Sequence, residues 1–145
     1  MSEELTTPNS EEPVASLSKR GARRVIQRAF VLMGRDKALR QRLKGVELMT
    51  RWMVEDWGLE WTVIIDRGRV EFHRGHFGKA QVSFLWKTGD DFLGQVASGR
   101  DPGDGFGLEC VPALRRVLDL LLAAFCSTLR TVLTDPVDDD GVRLV

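Results

Sequence analysis

Cysteine is scarce in this chain of 145 residues, where Cys110 and Cys126 are the only two. Neither belongs to a C-x-x-C pair or to a zinc-ligand spacing, which argues against a disulfide framework and a structural metal and points to a reducing, cytoplasmic compartment. Long apolar runs are also lacking. The start, "MSEELTTPNSEEPVAS", has none of the apolar stretch a secretory signal requires. The most apolar segment, residues 117 to 129, falls short of the ~20 residues of a bilayer span and reads as a buried helix. Catalytic signatures are absent: there is no Gly-x-Ser-x-Gly elbow, no Gly-x-x-x-x-Gly-Lys phosphate loop, and no Gly-x-Gly-x-x-Gly between a strand and a helix. The expectation is a protein without enzymatic activity or cofactor.

Net charge is absent too, at a formal value of zero, but the balance is uneven along the chain. Residues 18 to 44 hold ten Lys or Arg against one acid, Asp36, while acidic residues gather at both ends. A length near that of one compact unit, with 43% hydrophobic residues, implies a single domain. Its expected extent is 18–134, between a disordered acidic N-terminal tail, 1–17, and an acidic C-terminal tail, 135–145.

Apolar spacing in the basic segment, interrupted at Gly34, predicts one helix with a break or two short helices. The period then changes. Val46, Leu48, Thr50, Trp52 and Val54 alternate with polar or longer side chains, as in a half-buried strand. "WTVIIDRGRVEFHRG", residues 61 to 75, continues as a hairpin whose inner face carries Trp61, Val63, Ile65, Val70 and Phe72, with Gly68 free to adopt a positive φ. "AQVSFLW" adds a strand with Val82, Phe84 and Trp86 on one side. Short links favour antiparallel neighbours, and the alternation implies one covered face and one wet face.

Thr88 with Asp91 predicts a helix start, Phe92, Leu93 and Val96 an apolar stripe, and Gly99 a stop. A turn over 103–107 and a short strand at "GLECV" follow, and Pro112 opens a long helix carrying Leu114, Leu118, Leu121, Phe125 and Leu129. The expected fold class is therefore α+β, a mainly antiparallel sheet of four or five strands with helices on one face. The aromatic inner face allows two outcomes, a packed core or an apolar cavity between sheet and helices.

The run from Trp61 to Pro102 resembles the sterol carrier protein 2 (SCP2-like) family. The likeness lies in the order of a Trp-initiated strand, a Gly turn, a second strand ending in Gly, a third strand, the Asp90-Asp91-Phe92 helix start and the ending Gly99-Arg100-Asp101-Pro102. After Asp101-Pro102 the sequence departs from the family, because the apolar strand is shortened and its closing Gly-Asp is missing. The chain also lacks the Ser-Lys-Leu ending of peroxisomal relatives. The resemblance implies a cavity between sheet and helices and non-catalytic binding and transfer of a sterol, fatty acid, acyl-CoA or similar lipid. The residues placed to line it are Trp52, Trp61, Val63, Ile65, Phe72, Phe84, Trp86, Phe92, Leu118, Leu121 and Phe125.

Arg20, Arg23, Arg24 and Arg28 form the candidate contact surface for an anionic membrane or an acidic protein. No nucleic-acid-binding signature accompanies them, so nucleic acid is disfavoured as a partner. The rival expectation is a protein- or nucleic-acid-interaction module with a filled core, acting through the basic helix 18–44. His73 and His76, three apart at a strand end, share no face and have no further ligand at a suitable spacing, so they do not read as a metal site. Asp90 and Asp91 read as a helix start, since adjacent helical residues point apart.

Overall fold

A computed structural model describes residues 17–76, 78–98, 106–109 and 114–145. The expected tail before residue 17, the helix stop at Gly99, the turn residues 103–105, Cys110 and the opener Pro112 lie outside the described residues. The elements are α1 (Lys19–Arg35), α2 (Lys37–Arg42), β1 (Glu47–Val54), β2 (Leu59–Asp66), β3 (Arg69–Arg74), β4 (Val82–Trp86), α3 (Gly89–Ser98), β5 (Phe106–Glu109) and α4 (Arg115–Thr134).

Ser18 starts α1, its hydroxyl accepting from the Gly21 N–H at 3.0 Å. The helix does not break at Gly34 as expected. It continues to Arg35, and Asp36, in an extended conformation, both ends α1 and caps α2. Gly34 serves packing instead, since a Cβ there would stand 3.0 Å from the Val70 carbonyl of β3.

The sheet order is β3-β2-β1-β4-β5. Antiparallel pairing joins β1 to β2, β2 to β3 and β4 to β5, but β4 runs parallel to β1, with Trp52 opposite Phe84. The five-stranded sheet is thus mainly antiparallel, as expected, but mixed, because the β1–β4 pairing is parallel where short links favour antiparallel neighbours. The β2–β3 hairpin fills one side of β1, and the next strand, instead of extending the sheet beyond β3, crosses to the free side of β1. The described residues of that crossing, 75–76 and 78–81, run over the outer face. Thr62 donates to the Gly75 carbonyl at 2.8 Å, the Gln81 N–H donates to the Met49 carbonyl at 2.9 Å, and the Gln81 side chain accepts from the Met49 N–H at 2.9 Å. The face expected to meet water is therefore partly covered, and Thr62 is fully buried.

The opposite face meets the helices. α1 packs on α4 and β3, and α3 packs on α4 and β4. At 20 residues α4 is long and apolar enough to cross a bilayer, a length its apolar run had not indicated, but Leu118, Leu121, Leu122, Phe125, Cys126, Leu129 and Val132 are buried against the rest of the domain. Residues 135–145, expected as an acidic tail, fold back onto α1. Val137 bridges to Arg143, the Asp138 carboxylate accepts from the N–H groups of Asp140 and Val142, and Leu144 is buried.

Candidate functional site

The expected lining residues come from six elements, and the structure brings them into one layer. Trp52 of β1, Trp61, Val63 and Ile65 of β2, and Phe84 and Trp86 of β4 point inward because the strand period of two puts alternate residues on the helix side. Phe92, Leu118, Leu121 and Phe125 face them from α3 and α4, all buried, while Phe72, on the edge strand, is only partly buried. The rings are in contact. Trp52 lies 4.3 Å from Phe84 and 4.8 Å from Phe125 between centroids, and Trp86 meets Phe92 edge to face at 5.0 Å.

Phe30 of α1 is the residue that sequence reasoning left out of the site. It touches Trp52, Trp61, Phe72 and Phe125, with centroids 5.2 to 5.8 Å away. Its apolar spacing on the basic helix was visible, but its position opposite the hairpin was not, because nothing local relates α1 to strands thirty residues later.

The expected cavity is closed. Between sheet and helices a gap of about 10 Å³ remains, bordered by Ile26, Phe30, Trp52, Met53, Val54, Trp61, Trp86, Phe92 and Phe125. That is room for one water at most, since roughly 10–15 Å³ is the minimum for one. Of the expected lining residues, Trp52, Trp61, Trp86, Phe92 and Phe125 border the gap. Val63, Ile65, Phe72, Phe84, Leu118 and Leu121 do not. The reason is volume: three indoles and the facing phenyl rings occupy the space that smaller side chains would leave open. A larger groove, of about 580 Å³, lies between α2 and α4 and is open to solvent, with Arg42, Arg116 and Asp119 mixed among Leu39, Leu120 and Ala124.

Each indole in the layer finds an acceptor. Trp52 Nε1 donates to Thr50 Oγ1 at 2.7 Å, and that hydroxyl donates to the Val63 carbonyl at 2.8 Å. Trp61 Nε1 donates to Gln27 Oε1 at 3.3 Å, and Trp86 Nε1 to Gln95 Oε1 at 2.7 Å. Thr50, Gln27 and Gln95 are thus the polar supports of an otherwise apolar layer. The alternation of β1 includes Thr50, but the sequence pattern assigns none of the three as an acceptor, although an indole N–H that is buried requires one.

The basic surface is partly neutralised. Arg20 is exposed and Arg23 and Arg24 are half-buried. Arg28 donates to Asp139 at 2.9 Å, and Arg35 holds both oxygens of the same carboxylate. Elsewhere, His73 and His76 are exposed, with His76 Nδ1 4.0 Å from a Glu60 carboxylate that Arg51 also contacts. Among the described residues no group of three His, Cys, Asp or Glu could hold a metal ion. Thr88 caps α3 as expected, accepting from the Asp91 N–H at 3.0 Å. Cys126 is buried, and burial pushes its thiol up to about 11, with Arg130 pulling the other way.

No protein-family model matches the sequence, and no curated protein does. Several solved structures are similar in shape. A double mutant of the sec-alkyl sulfatase PisA1 is 14% identical over 58% of this chain, with a TM-score of 0.48, and the stereoselective inverting sec-alkylsulfatase Pisa1 from Pseudomonas sp. is 17% identical over 59%, at 0.44. This chain spans only 14% and 13% of those two proteins. The ubiquinone synthesis protein UbiJ-SCP2 is 14% identical over 68% of this chain and is itself covered to 87%, with a TM-score of 0.42. All three are distant likenesses of shape.

Proposed function

We propose that the chain is a cytoplasmic, non-catalytic carrier that binds one apolar molecule, of the sterol, fatty-acid or acyl-CoA class, between its sheet and its helices. The observation that carries this reading is the ring layer: aromatic side chains from α1, β1, β2, β4, α3 and α4 converge on a gap bordered only by aliphatic and aromatic residues. The resemblance of residues 61 to 102 to the SCP2-like family supports it. Because the gap is far smaller than such a ligand, binding requires Phe30 and Phe125 to separate from Trp52. The ligand then selects an opened minor conformation, and its apparent affinity falls in proportion to the scarcity of that conformation. The exposed Arg20, with Arg23 and Arg24, would meet an anionic membrane or an acidic partner during loading.

The test is titration with a fluorescent fatty-acid analogue and a fluorescent sterol, read through indole emission and urea midpoints. Saturation at one ligand per chain is expected, with stabilisation of about 2.7 kcal/mol at a hundredfold excess over Kd. Trp61→Leu should cost the unliganded protein roughly 3 kcal/mol, as in any closely packed core, and should change the ligand-dependent shift. A folded protein that binds neither probe would remove the carrier reading and leave a filled interaction module acting through α1.

A further inference from the structure

Gln95 has a buried donor with nothing to donate to among the described residues. The residue is 5% exposed, and among the described residues its Nε2 has no hydrogen-bond partner. The orientation of the amide is fixed by chemistry, because the Trp86 indole only donates and so must face the carboxamide oxygen, at 2.7 Å. The NH₂ group is therefore turned away from Trp86. Native interiors rarely leave such a group unpaired, since an unsatisfied buried donor carries its full desolvation cost. Trp86 and Phe92, which lies one helical turn before Gln95 on α3, both border the gap. Gln95 does not itself border the gap, but its carboxamide stands at the α3 end of the apolar layer, against Trp86, whose ring does.

We propose that Gln95 Nε2 recognises an acceptor oxygen on the apolar ligand, so that the site selects molecules carrying a hydroxyl, ester or carboxyl group over plain hydrocarbons of the same size. This rests on the carrier reading above and specifies the polar group of its ligand. Binding such an oxygen would satisfy a donor that the closed state leaves unpaired, which favours the opened, liganded conformation. A hydrocarbon would bury the same donor without a partner.

Competition against the fluorescent fatty-acid analogue tests it, using methyl palmitate, 1-hexadecanol and hexadecane. The wild type should bind the two oxygenated molecules about five- to tenfold more tightly than hexadecane, the range expected for one neutral hydrogen bond. Gln95→Met, close in size and with a thioether as a weak acceptor facing Trp86, should abolish that preference, read as the ratio of affinities within the variant. On wild-type protein, methyl palmitate but not hexadecane should shift the Gln95 side-chain NH₂ resonances, a readout that needs no variant. Equal affinity for all three competitors, a preference that survives in Gln95→Met, or Gln95 resonances that respond alike to ester and hydrocarbon would each overturn the proposal and leave the carrier reading standing. Failure of the fluorescent analogue to bind at all would overturn both.

Discussion

Asp139 accepts from both terminal nitrogens of Arg35, at 2.9 and 2.8 Å, across 104 residues of sequence. Arg28, two turns earlier on the same helix, reaches one of those oxygens at 2.9 Å. Arg24 approaches the Arg143 carbonyl at 3.5 Å, and a Cβ on Gly21 would collide with Val145. These contacts fall along one stripe of α1, positions 21, 24, 28 and 35, and the C-terminal segment lies against it. An acidic end and a basic helix that balance in the composition are joined physically.

The first prediction follows from that contact. Hydrogen bonds from Arg35, and then Arg28, hold the Asp139 carboxyl well below the usual carboxylate range. A carboxyl depressed in the folded state contributes stability above its unfolded value, near ~4, and loses it as the pH falls through the folded value. Asp139→Asn should therefore lower the urea midpoint at pH 7, with the difference from wild type narrowing below about pH 4 and in ~1 M salt. Both groups are exposed enough that the effect should be small. Superimposable acid-unfolding curves for the two proteins would show that the contact adds nothing to stability.

Thr50 offers a sharper case. Its hydroxyl is fully buried and links the Trp52 indole to the Val63 carbonyl. Thr50→Val preserves the shape and removes both bonds, leaving the indole N–H without an acceptor. The expected loss is roughly 2 kcal/mol, with blue-shifted indole emission as the N–H loses its partner. A change below ~0.5 kcal/mol, within the range of an ordinary surface substitution, would mean that the layer rearranges to satisfy Trp52 in another way.

Cys126 should be chemically quiet. A thiol raised to about 11 is almost wholly protonated at pH 8, with roughly one part in a thousand as thiolate, and its side chain is buried. Reaction of Cys126 with an aromatic disulfide reagent, followed by peptide mapping, should be slow in buffer and complete in urea. Rapid labelling of the native protein would mean that α4 leaves the core readily, and opening of the ring layer would then need little energy.

The turn between β2 and β3 shows what the sequence settled by itself. Gly68 in an Asp-Arg-Gly-Arg connection, between two alternating stretches, specifies a tight hairpin, and Arg67 and Gly68 both take positive φ values, 51° and 91°. The apolar alternation of β1, β2 and β4, the Thr88 cap and the stripe of α4 were legible for the same reason, since each depends on the few residues next to it. Which residues share a face is a property of local periodicity, and the lining residues it turns inward, from Trp52 to Phe125, are buried except for Phe72, which is partly so.

Relations between distant segments were decided only by the tertiary structure. The parallel placement of β4 beside β1 depends on which strand edge the hairpin leaves free. The seat of Phe30 among the indoles, the Gln95 support under Trp86 and the return of Asp139 to Arg28 and Arg35 each join residues whose separation in sequence carries no periodic signal. The same holds for the closed gap: periodicity names the side chains that face inward, but how much room they leave is a matter of volume and ring orientation, which only their simultaneous packing determines.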